Sequence, residues 1–279
     1  MTLLEVLNSA TEYLARCGVE NPRLNSEHLL AHVLRKKRLD LYLEFDRTLQ
    51  EAERLPLRDL VRQRGKRIPL QHLLGTVEFY GRSFVCDSRA LIPRPETEQL
   101  LELALSHLPS DQMISLLDIG TGSGIIAATL ALELPHACVD ATDLSPEALM
   151  LASENIAKHG LSQRVRIQQA DLFPPAGKNP YQAIVANLPY IPSQEIEALS
   201  PEVQYDPIEA LDGGADGLDL FRRFIQCAPD YLRLGGQIWL EIGHQQGNTL
   251  FNLLIDRGFC EVSLFKDYQN RPRFITAKK

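Results

Sequence analysis

No apolar stretch in the 279 residues approaches the length of a membrane-spanning helix: the longest clean run, Ile125 to Leu132, falls far short of the ~20 residues required. A signal peptide is missing too. Glu5 and Glu12 interrupt the N-terminal leucines, with no basic start, apolar block or small-residue cleavage site, so the chain reads as cytoplasmic. The five cysteines (Cys17, Cys86, Cys138, Cys227, Cys260) are odd in number and widely scattered, which excludes a disulfide framework and a paired-cysteine metal knuckle. His28 and His32 lie four apart but lack the glutamate of a zinc-hydrolase helix, so no metal is expected. Excess positive charge is also lacking. The formal net charge is −7, unevenly spread: residues 1–75 carry more Lys and Arg than Asp and Glu, and residues 76–279 are strongly acidic. An acidic larger part matches phosphate backbones poorly, and no stable nucleic-acid binding is expected.

What is present is an ordinary globular composition, 44% hydrophobic and 23% charged, long enough for about two domains. Leu3, Leu7, Ala10 and Leu14 share one helical face, Gly18 is a stop, and Asn21-Pro22 restarts a helix with proline in its first turn. Apolar steps at Leu30, Val33 and Leu34, and at Leu57, Leu60 and Val61, extend this into a small helical bundle over residues 1–75. The basic run Arg35-Lys36-Lys37-Arg38 between these helices reads as solvated surface.

The period then changes. Val77 to Val85 reads as two short strands turning near Gly81, a connecting hairpin within residues 76–90. A turn-rich segment, Leu91-Ile92-Pro93-Arg94-Pro95-Glu96-Thr97-Glu98, opens a helix to about Leu108. Strand-then-helix units follow: strands at Ile114 to Ile119, Ala137 to Thr142, Val165 to Gln168 and Ala183 to Ala186, and later at Gln237 to Ile242, Glu261 to Phe265 and Phe274 to Ala277. Such alternation implies an α/β domain over residues 91–279, with a largely parallel sheet covered on both faces and its ligands at the carboxyl ends of the strands.

The chemistry concentrates at three of those strand ends. Asp118-Ile119-Gly120-Thr121-Gly122-Ser123-Gly124 follows an apolar strand and opens a helix, where glycines permit a tight turn and free N–H groups attract a polar ligand. A dinucleotide fingerprint would place its third glycine at position 125, where Ile125 stands. The acidic residue two before Gly120, followed by glycines at 120, 122 and 124, resembles instead the first motif of S-adenosylmethionine-dependent methyltransferases. Asp143, past the second strand, is positioned to accept both hydroxyl hydrogens of a ribose, which either cofactor class carries. Asp171-Leu172-Phe173 stands where such methyltransferases place an acid and an apolar contact around adenine.

Asn187-Leu188-Pro189-Tyr190 closes the fourth strand with an amide, a rigid ring and an aromatic side chain. The Asn187 side-chain oxygen and the Leu188 carbonyl can each accept one hydrogen of a planar NH2, with Tyr190 against its plane.

With these motifs the chain closely resembles the HemK-like release-factor glutamine methyltransferases, which methylate the Gly-Gly-Gln glutamine of class 1 peptide chain release factors. The likeness covers most of the sequence and is strongest in Pro93-Arg94-Pro95-Glu96-Thr97 and in Ala210-Leu211-Asp212-Gly213-Gly214; Tyr205-Asp206-Pro207 and Glu241-Ile242-Gly243 also belong to it. It implies a Rossmann-like seven-stranded methyltransferase sheet with a smaller N-terminal helical domain that docks the release factor. It also implies S-adenosylmethionine held by Gly120, Thr121, Gly122, Ser123, Gly124, Asp143, Asp171, Leu172 and Asn187. The substrate amide would be met by Asn187, Leu188, Pro189 and Tyr190, of which Asn187 and Tyr190 are the expected catalytic pair, with Arg94 and Glu96 lining the entrance or pinning their segment. Two positions depart from the family pattern. Leu188 replaces a usual proline, which leaves its carbonyl in place, and Leu172 stands where some relatives carry tryptophan, offering less surface to adenine.

Two other readings compete. An adenine-amine methyltransferase acting on RNA or DNA would use the same clamp but wants a basic, aromatic groove, and a nicotinamide-dependent oxidoreductase is opposed by Ile125.

Overall fold

The computed structural model describes residues 1–175 and 181–279, which form two compact units. One comprises Met1–Thr76 together with Ser200–Tyr205, the other Val77–Leu199 and Asp206–Lys279.

The first unit is built from α1 (Leu3–Arg16), α2 (Pro22–Leu34), α3 (Glu51–Gly65) and the short α4 (Leu70–Leu74). A capping box starts α1: Thr2 Oγ1 accepts from the Glu5 backbone N–H at 3.2 Å, and the Glu5 carboxylate accepts from the Thr2 N–H at 2.9 Å. Leu3, Leu7, Ala10 and Leu14 are its buried residues, the face that the spacing anticipates, packed with Leu29, Leu30, Leu57 and Val61. The basic run is less free than its composition suggests. Arg38 donates to the buried Glu27 carboxylate at 2.8 Å, and Lys36 pairs with Glu44.

Ser200–Tyr205 clusters with this unit, which nothing in its composition announces. The physical reason is Glu202. Its carboxylate receives Arg64 Nη2 at 2.8 Å and both Arg67 Nε and Nη2 at 2.6 Å, a bidentate geometry. Burial alone pushes this carboxyl up, but the Arg67 and Arg64 hydrogen bonds outweigh it and bring the pKa down to about 2. A pKa lowered by folding stabilises the native state above the unfolded value of 4.5, and that contribution is lost as pH falls toward 2. Glu202→Gln is therefore expected to lower the melting midpoint at pH 7, with the gap from the native chain closing between pH 4.5 and 2. A gap unchanged across that window in thermal melts would show that the ion pair is not its source.

The second unit opens with the hairpin β1 (Thr76–Phe79) and β2 (Arg82–Val85), followed by α5 (Pro95–His107), β3 (Ile114–Ile119), α6 (Ile125–Glu133), β4 (Ala137–Asp143), α7 (Pro146–Lys158), β5 (Val165–Gln169), β6 (Tyr181–Asn187), α8 (Asp219–Tyr231), β7 (Leu232–Glu241), α9 (Gly247–Asp256), β8 (Cys260–Lys266) and β9 (Pro272–Lys278). The seven-stranded sheet has the order β5-β4-β3-β6-β7-β9-β8. β5, β4, β3, β6 and β7 pair in parallel, and β9 runs antiparallel between β7 and β8. Thus the α/β sheet expected from the alternation is present. The central strands are buried over most of their length, as in sheets covered on both faces, with Ser115 near the start of β3 exposed and Gln182 and Asn187 of β6 half-buried.

The strand order reverses at β3, from β4 on one side to β6 on the other. The carboxyl ends of β3, β4 and β6 consequently open onto one crevice, the place where such sheets bind ligands. These ends carry Asp118 to Gly124, Asp143 and Asn187.

Candidate active site

A cavity of about 640 Å³ lies at this crevice, within the roughly 300–1,000 Å³ usual for small-ligand sites. Gly120, Thr121, Gly122 and Ser123 line it, as do Asp143, Asp171, Leu172, Asn187, Leu188 and Pro189. The glycine loop and the amide clamp therefore share one space.

The loop is held by carboxylates on both sides. Asp118, fully buried at the end of β3, accepts from Thr121 Oγ1 at 2.6 Å and from the Ala127 N–H at 3.0 Å, tying the loop to the first turn of α6. Burial pushes its carboxyl up to about 7 against those hydrogen bonds. Asp143 accepts from the Gly122 N–H at 2.8 Å through one oxygen and from the Ser145 N–H at 3.0 Å through the other. Each carboxylate oxygen has a further lone pair for a visiting hydroxyl. Ser145 caps α7 through the Ala148 N–H, with Pro146 in the first turn.

Gly120 and Gly124 show why glycine stands there. Both have positive φ; at Gly120 the backbone angle of 69° alone demands glycine, since an added Cβ would come only to ordinary contact with Leu188 Cδ2 at 3.4 Å and the Asn187 carbonyl oxygen at 3.8 Å. On Gly124 it would meet Ala152 Cβ at 2.9 Å and Cα at 3.0 Å, so α7 packs onto the loop with no room to spare. Behind the loop the buried Asn155 of α7 donates to the Ser123 carbonyl at 2.9 Å and joins both backbone groups of Val85.

At the clamp, Asn187 Nδ2 donates to Thr97 Oγ1 at 3.1 Å, and Thr97 Oγ1 donates to Glu241 Oε2 at 2.7 Å. Tyr190 donates from its hydroxyl to the other oxygen, Glu241 Oε1, at 3.2 Å, and Arg273 Nη1 donates to that hydroxyl at 3.4 Å. Burial raises the Glu241 pKa, opposed by the Thr97 hydrogen bond, the Arg273 guanidinium and the Tyr190 hydroxyl. Burial, then the Glu241 charge, likewise raises the Tyr190 phenol, which stays protonated and able to donate.

Not every anticipated residue faces the cavity. Tyr190 packs its ring against the hydrophobic cluster that includes Leu188 and Leu240, turned toward Glu241, and it is not among the residues lining the cavity. Arg94 donates to the buried Asp206 at 2.7 Å, and Asp206 also accepts from the Ile92 N–H at 3.2 Å, so this pair pins the segment leading into α5. Desolvation outweighs the guanidinium and brings Asp206 up to about 6. Glu96 is half-buried, and its charge acts on Glu241 and Tyr190. Asp171 lines the cavity but spends one oxygen on Arg223 at 2.7 Å. Leu172 lines it too, with a φ of 64° and its carbonyl receiving the Thr142 hydroxyl at 2.7 Å.

Residues 5–75 match the model described as "PrmC N-terminal domain", and residues 97–201 the model described as "Methyltransferase small domain". A protein of Geobacter sulfurreducens named release factor glutamine methyltransferase is 45% identical over 98% of this chain and 95% of its own length. The chain belongs to the release factor glutamine methyltransferase family. Two further members, from Chlorobaculum tepidum and Deinococcus radiodurans, are each 40% identical, over 99% and 100% of this chain and 96% and 99% of their own. Among solved structures, the "hMettl16 catalytic domain in complex with MAT2A 3'UTR hairpin 1" superposes with a TM-score of 0.58 at 19% identity, over 79% of this chain and 80% of that one, a likeness of fold.

For a release factor glutamine methyltransferase, sequence reasoning overlooked Thr97, Glu241 and Asn155. A signal for Glu241 was present, since a carboxylate at the end of an otherwise apolar strand must be paired. Thr97 lay inside the Pro-Arg-Pro-Glu-Thr mark with no role assigned.

Proposed function

We propose that this chain transfers a methyl group from S-adenosylmethionine to the side-chain amide nitrogen of the glutamine in the Gly-Gly-Gln motif of class 1 peptide chain release factors. The observation that carries the reading is the polarity of Asn187. Its NH2 is committed to Thr97, so its carboxamide oxygen is the group left for the cavity, an acceptor suited to an incoming N–H.

The residues present fit the cofactor. A glycine loop with helix N–H groups, a carboxylate at Asp143 and an apolar flank at Leu172 and Leu144 line a cavity of suitable size. Gly120 to Gly124 would hold the methionine part, Asp143 the ribose hydroxyls, and Asp171 and Leu172 the adenine. When bound, S-adenosylmethionine supplies an electrophilic methyl carbon on a sulfonium sulfur.

The chain's own residues supply orientation and charge stabilisation. An amide nitrogen is a weak nucleophile because its lone pair is delocalised into the carbonyl. Asn187 Oδ1 and the Leu188 carbonyl would accept hydrogen bonds from its two N–H groups, orient it and stabilise positive charge developing on nitrogen. Pro189 stiffens the turn, and Tyr190 sets its position from behind through Glu241. The helical N-terminal unit is read as the docking element for the release factor. Among the described residues no helix is long and apolar enough to cross a membrane, and a substrate in translation places the reaction in the cytoplasm.

The test supplies the purified protein with labelled methyl donor and, separately, release factor, the same factor with its motif glutamine changed to alanine, and ribosomal RNA. Label is expected in the intact factor alone. Label in RNA but not in intact factor would overturn the assignment in favour of an adenine-amine methyltransferase.

A further inference from the structure

The carboxamide of asparagine has two nearly isosteric orientations that differ only in whether oxygen or NH2 faces a given neighbour. For a clamp built on Asn187 that choice decides everything, because only the oxygen can accept a substrate N–H. The choice is made by a chain of hydrogen bonds that runs from Thr97 in the cavity wall into the buried interior, and its direction can be traced from its far end.

Arg273 has no acceptor, so its Nη1 donates to the Tyr190 oxygen at 3.4 Å, and the Tyr190 hydrogen is directed to Glu241 Oε1 at 3.2 Å. Glu241 is buried, with its second oxygen 2.7 Å from Thr97 Oγ1. That is the shorter of the two contacts of the threonine oxygen, and Glu241 Oε2 accepts in it, so the single Thr97 hydrogen points to Glu241. Only lone pairs then remain on Thr97 Oγ1 to face Asn187, and a lone pair accepts NH2 and repels a carboxamide oxygen.

We infer that Thr97 is a positioning residue whose hydroxyl, held as a donor to Glu241, locks the Asn187 carboxamide with its oxygen toward the substrate amide. The two residues belong to different elements, Thr97 to the first turn of α5 and Asn187 to the end of β6, and Glu241 ends the neighbouring strand β7. Thr97 is 3% exposed and stands with Asn187 in the cavity wall. This inference rests on the clamp reading of Asn187.

The experiment compares Thr97→Val, which keeps the branched shape without the hydroxyl, with Thr97→Ser, which keeps the hydroxyl without the branch, using full-length enzyme, release factor and S-adenosylmethionine. Losing one preorganised hydrogen-bond partner corresponds to roughly a 100-fold loss. The expected result is a kcat lowered about that much in Thr97→Val, with the S-adenosylmethionine dissociation constant, read by calorimetry without turnover, changed less than about threefold. Thr97→Ser is expected to stay within about threefold of native kcat. Retained kcat in Thr97→Val, equal losses in both variants, or a loss of cofactor affinity as large as that of kcat would each overturn the inference. Asn187→Ala in the same assay separates the layers: near-native turnover there means that the clamp reading itself is wrong. If Asn187→Ala is inactive while Thr97→Val is not, the positioning role alone fails.

Discussion

Asn187→Ala is expected to lower kcat for release-factor methylation by about 10³-fold while S-adenosylmethionine binds within about threefold of its native affinity. The asymmetry follows from where this side chain stands. The Thr121 N–H keeps its bond to the Thr142 carbonyl, the Ala127 N–H its bond to Asp118, and the Gly122 and Ser145 N–H groups theirs to Asp143, whether or not residue 187 has a polar end. The acceptor facing the cavity is what alanine removes. One well-placed group aimed at developing charge is worth about 3–4 kcal/mol of barrier, the factor expected. Single-turnover methyl transfer with calorimetric cofactor titration checks both halves, and a parallel fall in affinity and rate would assign Asn187 to cofactor binding in place of chemistry.

The second large effect belongs to Gly124. Its φ of 77° is left-handed, and an added Cβ meets the backbone of Ala152 at 3.0 Å, an atom that cannot rotate away. Gly124→Ala therefore combines backbone strain with overpacking against α7, together about 3 kcal/mol of destabilisation. Because the same movement drags Ser123 away from Asn155, the loop loses its shape for a ligand as well. Thermal melts are expected to show a midpoint several degrees lower, and titration a cofactor affinity reduced at least tenfold. Native affinity in this variant would show that α7 yields more readily than a close-packed helix should.

Much of this was legible in the chain itself, and the reasons are physical. The face Leu3, Leu7, Ala10 and Leu14 and the glycines at 120, 122 and 124 are local patterns, dictated by helix period and by backbone angles. Asn187 stands out in the chain because it closes an apolar strand, and the fold brings it to the cavity wall. What escaped was long-range. Thr97 reaches Glu241 across 144 positions and Asn187 across 90, and no periodicity links residues so far apart. Glu202 escaped for the same cause, since its partners Arg64 and Arg67 lie 138 and 135 positions away. Tyr190 was assigned to the substrate slot from adjacency in sequence. Glu241, with an acceptor oxygen on the other side of the turn, draws the phenol toward itself instead.

The double engagement of Asp143 has a thermodynamic consequence. With the Gly122 and Ser145 amide hydrogens already committed, the loop has its working shape before any ligand arrives, so association need not freeze a wandering segment. Protection of those amides from hydrogen exchange should accordingly be high in the free protein and should scarcely increase upon saturation, a signature opposite to that of a loop that folds around its guest.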